Sequence, residues 1–120
     1  MLAVDDDPEM LAVYKLGMKG YNVATAKSPK EALEMLTKQH YVFVVTDLFM
    51  PGIRNIEAGL DYVRQLCGFG SPVIVASGSV HEGVERLIEE AGARAFIPKA
   101  SGIIFRQIES ILKENEPAYH

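Results

Sequence analysis

The chain has 120 residues, 48% hydrophobic and 23% charged, which suffices for one core and leaves no room for a second domain. Its formal net charge of −4, with no run of basic residues, excludes a broad electrostatic surface for nucleic-acid phosphates or an anionic membrane. No stretch approaches the roughly 20 apolar residues of a membrane span and no signal-peptide pattern opens the chain, so the expected compartment is the cytoplasm.

Residues 1–4 form a short apolar strand that runs straight into Asp5-Asp6-Asp7. Asp7-Pro8 starts a helix, because proline suits the first helical position and Asp7 can cap the free amides; Asp5 and Asp6 have no such task. Met10, Leu11, Val13, Tyr14, Leu16 and Met18 give that helix an apolar stripe, and Gly20 closes it. Residues 21–26 alternate as a second strand. Ser28-Pro29 caps a second helix, with Ala32, Leu33, Met35 and Leu36 at helical spacing, ending near Gln39-His40.

A third strand over 41–46 is nearly all apolar, as suits a parallel strand covered on both faces, and it delivers Asp47 to a break at Pro51-Gly52. A long loop over 50–58 leads to a third helix at 59–67, a turn at 68–71 and a fourth strand over 72–76 that ends in Ser77. Within the third helix lies Cys67, the single cysteine, which has no disulfide partner and reads as a packing residue. Residues 81–91 carry Val84, Leu87, Ile88 and Ala91 on one helical face, stopped by Gly92. A fifth strand over 94–98 ends in Lys99. A last helix at about 101–114 buries Ile104, Phe105, Ile108, Ile111 and Leu112, and residues 115–120 form a polar tail expected to fray.

Five strands alternating with five helices define an α/β fold: a doubly wound, flavodoxin-like parallel sheet whose simplest strand order is 2-1-3-4-5. That order gathers the acidic residues after the first strand, Asp47, Ser77 and Lys99 around one crevice at the carboxyl ends of the strands. Clustered carboxylates repel by a few kcal/mol and call for a cation. An all-oxygen set without Cys or His favours magnesium or manganese over zinc, and His40, His81 and His120 lie in settings unsuited to a ligand. A carboxylate can itself attack phosphorus, with metal, ammonium, hydroxyl and loop amides neutralising the transferred group.

Val4-Asp5-Asp6-Asp7-Pro8, Asp47-Leu48-x-Met50-Pro51-Gly52, residues 72–78 ending in Ser77-Gly78 and residues 92–99 ending in Lys99 together resemble response regulator receiver domains, over essentially the whole chain. The resemblance implies one receiver domain over 1–120, either whole or a fragment of a longer regulator. It implies Asp47 as phosphoacceptor, with Asp5, Asp6, Asp47 and the backbone carbonyl of Phe49 around Mg2+ (or Mn2+). It further implies Ser77 as the phosphoryl-sensing hydroxyl, Lys99 as the ammonium partner, and Ser77 with Phe96 as the switch pair. The phosphoryl donor would be a phosphohistidine on a sensor histidine kinase or phosphotransfer protein, and the conformational change would control a partner or output domain. Such a chain is a switch whose chemistry is confined to its own phosphorylation and dephosphorylation. The fourth helix, fifth strand and last helix, with Arg94, Phe96 and Arg106, would form the candidate face for a partner or a second copy. Phe49 and Ser79, each two residues beyond a site residue, would tune the phosphorylated lifetime.

Four departures from the family pattern stand out. The first helix is about two residues short, the loop after Gly52 has about four extra residues, and the third helix is cut back to match. Ala100 follows Lys99 where family members often have a cis-proline, so a trans bond and an altered Lys99 loop are expected. Singly, Asp47 reads as a turn residue, Asp5 to Asp7 as capping residues, Ser77 as a loop serine and Lys99 as a surface lysine. Their joint placement carries the functional reading. Tyr14, Tyr21, Phe43 and Phe105 follow element periodicity and read as packing residues. A haloacid-dehalogenase-like phosphatase is the rival for Asp5-Asp6-Asp7, disfavoured by Glu9, by the lack of a late acidic pair and by the lack of room for a capping domain.

Overall fold

The computed structural model describes residues 1–18, 20–78, 83–99 and 104–114. Its elements in chain order are β1 (Leu2–Val4), α1 (Pro8–Gly17), β2 (Ala24–Ala26), α2 (Pro29–Lys38), β3 (Val44–Thr46), α3 (Ile56–Cys67), β4 (Val73–Ser77), α4 (Val84–Glu90), β5 (Ala95–Pro98) and α5 (Ile104–Glu114). The strands form one parallel sheet in the order β2-β1-β3-β4-β5, as the alternation of strand and helix predicts.

Helix starts follow their caps. Asp7 Oδ1 accepts the Glu9 amide at 2.9 Å with Pro8 in the first turn. Ser28 Oγ accepts the Glu31 amide at 3.1 Å, and Glu31 Oε2 in turn accepts the Lys27 amide at 3.3 Å. Asn55 Oδ1 accepts the Ala58 amide at 2.8 Å. That last cap places the start of α3 at Ile56, three residues before the expected Gly59, so the helix is not cut back as far as the sequence suggested. Gly59 is not a boundary. It is buried within α3 because a Cβ there would come within 2.8 Å of Leu48 Cδ1, so glycine lets the helix approach the chain beside Asp47.

The strands are also shorter than their apolar runs. β1 pairs over only three positions, Leu2 with Ala24 and Val44 through Val4 with Ala26 and Thr46, and this limits the ladders of both neighbours. Residues 21–23 and 41–43 therefore lie outside the strands. β4 extends one residue further than expected, through Ser77, whose partner is Pro98. At α4, Gly83 has φ 89°, a left-handed value incompatible with helix, and α4 starts after it at Val84; the expected start at His81 lies outside the described residues. Positions 19, 79–82, 100–103 and 115–120, which include Ser79, His81, Ala100, the expected first turn of the last helix and the polar tail, lie outside the described residues.

Side-chain alternation along the strands splits the core into two layers. Leu2, Val4, Val44, Val73 and Val75 pack with Leu36 of α2, Leu60, Val63 and Leu66 of α3, and Ile88 of α4. Ala3, Val45, Ile74, Ala76 and Ile97 pack with Leu11 and Tyr14 of α1 and Ile104 and Ile108 of α5. The packing roles read for Tyr14, Phe43, Tyr21 and Phe105 hold: Tyr14 meets Phe105 edge to face at 6.0 Å, and Tyr21 meets Phe43 at 5.3 Å. Cys67 is partly buried, and Gly92, with φ 117°, turns tightly above it. Among the described residues no helix is long and apolar enough to cross a membrane.

Candidate metal and phosphoryl centre

Four strand ends meet at one edge of the sheet. β1 delivers Asp5, whose amide donates to the carbonyl of Ala26, and β3 delivers Asp47, whose amide donates to the carbonyl of Val4 at 2.9 Å. Both carboxylates are buried, while Asp6 between them is exposed. One carboxylate oxygen from each of Asp5, Asp6 and Asp47 falls in a group whose members all lie within 4.8 Å of one another.

Lys99 reaches over this group from the end of β5. Its Nζ lies 2.5 Å from Asp5 Oδ2 and 2.9 Å from Asp47 Oδ2, and its amide donates to the carbonyl of Ser77 at 2.8 Å. That amide bond sets Ser77, buried at the end of β4, beside the same edge. The other oxygen of each buried carboxylate is held by the chain itself. The Asp7 amide donates to Asp5 Oδ1 at 2.9 Å, and the Phe49 amide donates to Asp47 Oδ1 at 3.1 Å. Asp5 thus has the local structural task that its sequence position did not disclose. Asp47 is at once a turn residue and a member of the acidic group, so the two readings of it are compatible.

The group counts three carboxylates and one ammonium, which contacts Asp5 and Asp47, and the excess of two negative charges matches a divalent cation. The electrostatics agree. Burial pushes the Asp5 carboxyl above its ordinary pKa despite the hydrogen bond from Lys99, so the ammonium alone does not offset the cost of burying that charge. The Lys99 ammonium is held above its usual pKa; burial opposes this, and its contacts with Asp5 and Asp47 outweigh the burial. A hard, all-oxygen donor set of this charge fits Mg2+ or Mn2+.

Phe96 stands on β5 opposite Val75, half-buried against the core layer of α2, α3 and α4. Arg94 and Arg106 are exposed. Two residues that sequence reading passed over lie beneath Asp47. Thr46 and Tyr62 are both buried, with Thr46 Oγ1 at 2.8 Å from the Tyr62 hydroxyl and at 2.8 Å from the carbonyl oxygen of Asp47. The available signal was a tyrosine on the apolar face of α3, because a buried phenol needs a partner.

The chain matches the response regulator receiver domain family over residues 1–109. Response regulator MprA of Mycobacterium leprae is 34% identical across 98% of this chain and 52% of its own length. The chain spans between 14% and 52% of the length of the curated relatives it matches. Among solved structures, a CheY-like receiver domain protein from Methanospirillum hungatei superposes with a TM-score of 0.80 at 24% identity, covering 94% of this chain and 89% of the other. The receiver domain of the histidine kinase CKI1 from Arabidopsis thaliana, complexed with Mg2+ and BeF3−, superposes with a TM-score of 0.73 at 24% identity, covering 93% of this chain and 88% of its own. With the sheet order, the acidic group and a family match over nearly its full length, the chain belongs to the response regulator receiver domains.

Proposed function

We propose that Asp47 accepts a phosphoryl group from a phosphohistidine of a sensor histidine kinase or phosphotransfer protein, with Mg2+ held by Asp5, Asp6, Asp47 and the Phe49 carbonyl. The observation that carries this reading is the grouping of three carboxylates within 4.8 Å of one another, two of which, Asp5 and Asp47, also contact one ammonium. A Mg2+ complex in the A. thaliana receiver domain supports the choice of ion.

An oxygen of Asp47 bonds to phosphorus as the N–P bond of the donor breaks, and the imidazole nitrogen keeps that electron pair and takes up a proton. The metal, when bound, supplies charge neutralisation for the phosphoryl oxygens. The Phe49 amide, donating to Asp47 Oδ1, fixes the carboxylate plane for attack. The Lys99 ammonium, already at Asp47 Oδ2, is placed to follow the negative charge onto the phosphoryl group. Ser77 offers a hydroxyl from the adjoining strand end, and Phe96 on β5 completes the switch pair through packing, since its ring brings no hydroxyl. The face of α4, β5 and α5, with Arg94 and Arg106 exposed, is the candidate surface for a partner, an output domain or a second copy. The chemistry of this reading is the chain's own: it takes the group and loses it to water.

The test is intact mass after incubation with Mg2+ and acetyl phosphate. One added phosphoryl group is expected, absent in EDTA and absent in Asp47→Asn. An adduct that survives Asp47→Asn would refute Asp47 as the acceptor.

A further inference from the structure

Main-chain orientation at Asp47 is not left to the sheet. Its amide is in the ladder with β1, but its carbonyl accepts the hydroxyl of Thr46 at 2.8 Å. A carbonyl can only accept, so the Thr46 proton points at Asp47 O. The contact of 2.8 Å between Thr46 Oγ1 and the Tyr62 hydroxyl must then have the phenol as donor. The three groups form a one-directional chain from α3 to the Asp47–Leu48 peptide just beyond β3: Tyr62 O–H to Thr46 Oγ1, Thr46 O–H to Asp47 O.

We propose that Tyr62 is a positioning residue for phosphorylation at Asp47, acting through the Thr46 hydroxyl on the peptide that joins Asp47 to Leu48. The inference rests on the phosphoacceptor reading. A threonine hydroxyl alone can rotate among acceptors, whereas one whose oxygen already accepts a phenol has fewer directions open to its proton, and here the Asp47 carbonyl lies along one of them. The Asp47–Leu48 peptide plane leads through Leu48 to the Leu48–Phe49 peptide, whose amide donates to Asp47 Oδ1. Turning that plane moves the amide that orients the attacking carboxylate, together with the Phe49 carbonyl. Tyr62 is buried and its hydroxyl is held protonated by burial and, secondarily, by the negative charge of Asp47, so the donor does not fail in the physiological range.

The chain of hydroxyls therefore makes α3 a support for the reacting geometry as well as a packing helix. Displacements of this kind cost rate strongly, up to about 100-fold for 1 Å. A lost hydrogen bond that leaves the fold intact corresponds to a smaller shift.

The experiment compares wild type, Tyr62→Phe, Thr46→Val, Thr46→Ser and the double variant Tyr62→Phe/Thr46→Val, following adduct formation by mass with acetyl phosphate at saturating Mg2+, below every variant's unfolding midpoint. Tyr62→Phe and Thr46→Val are each expected to slow phosphorylation about threefold to tenfold. The double variant is expected to be no slower than Thr46→Val, and Thr46→Ser, which keeps the hydroxyl, to restore the rate. Wild-type rates in both Tyr62→Phe and Thr46→Val, with only their unfolding midpoints lowered, would overturn the positioning role and leave Asp47 as acceptor untouched. No adduct on the wild-type chain would overturn both readings.

Discussion

Replacing Lys99 with methionine keeps the side-chain stem and removes the charge. Nζ stands 2.5 Å from Asp5 Oδ2 and 2.9 Å from Asp47 Oδ2. At an effective dielectric near 20, those contacts amount to roughly 12 kcal/mol of gross attraction. Most of it offsets the desolvation of the ions, several kcal/mol each, so the net loss on breaking a buried cluster is about 3–5 kcal/mol. With unfolding entropy near 2.1 cal/mol/K per residue, a chain of this length loses about 4 °C per kcal/mol, so the metal-free midpoint falls by about 12–20 °C. Mg2+ supplies the missing positive charge, and the gap between Lys99→Met and wild type should narrow by more than half when millimolar Mg2+ replaces EDTA. Thermal unfolding followed by far-UV circular dichroism in both conditions measures it. A fall of less than about 4 °C in EDTA, or the same fall with and without Mg2+, would refute the charge balance drawn for the site.

Because burial holds Asp5 above its ordinary pKa, the folded chain binds that proton more tightly than the unfolded chain does. Its contribution to metal-free stability is therefore fully present below the unfolded pKa and lost as pH rises through the folded one. Mg2+ competes with the same proton, so apparent Mg2+ affinity should weaken before the pH reaches the ordinary carboxylate value of about 4; constant affinity down to that pH would count against Asp5 as a ligand. Phe49 is 39% exposed beside the acceptor, and its ring should hinder attacking water. Phe49→Asn is expected to speed loss of the phosphoryl group, measured by mass after removal of donor, and an unchanged half-life would refute the role. Gly92→Ala combines a φ of 117° with a Cβ 3.0 Å from Cys67 Sγ, so its urea midpoint should drop by the equivalent of about 1–3 kcal/mol. A variant as stable as wild type would show that the turn relaxes freely.

The sheet order was legible because five strands alternate with five helices, and the edge that carries the site because four of the strands end in polar or charged residues: Asp5, Asp47, Ser77 and Lys99. What the sequence hid were relations between elements. The start of α3 was obscured by Gly59, a residue that ends helices in isolation but here sits inside one because Leu48 occupies the space of its Cβ. The lengths of β2 and β3 depended on the three positions that β1 offers for pairing. Tyr62 carried the periodicity of a core residue, and only its distance to Thr46 reveals its polar partner. Asp5 looked free of structural duty because its bond to the Asp7 amide depends on a local turn that composition does not encode.

Thr46 and Asp47 are neighbours on one strand end with opposite duties, one tied to α3 and the other to Lys99. The pleat that separates them makes β3 intolerant of any change in its length. An insertion or deletion of one residue upstream would exchange the pair, sending a hydroxyl into the crevice and a carboxylate against the Tyr62 phenol. A change of length after Met50, beyond the turn that the Ile53 amide closes onto the Met50 carbonyl, leaves this alternation untouched, whereas one between Val44 and Asp47 reverses it.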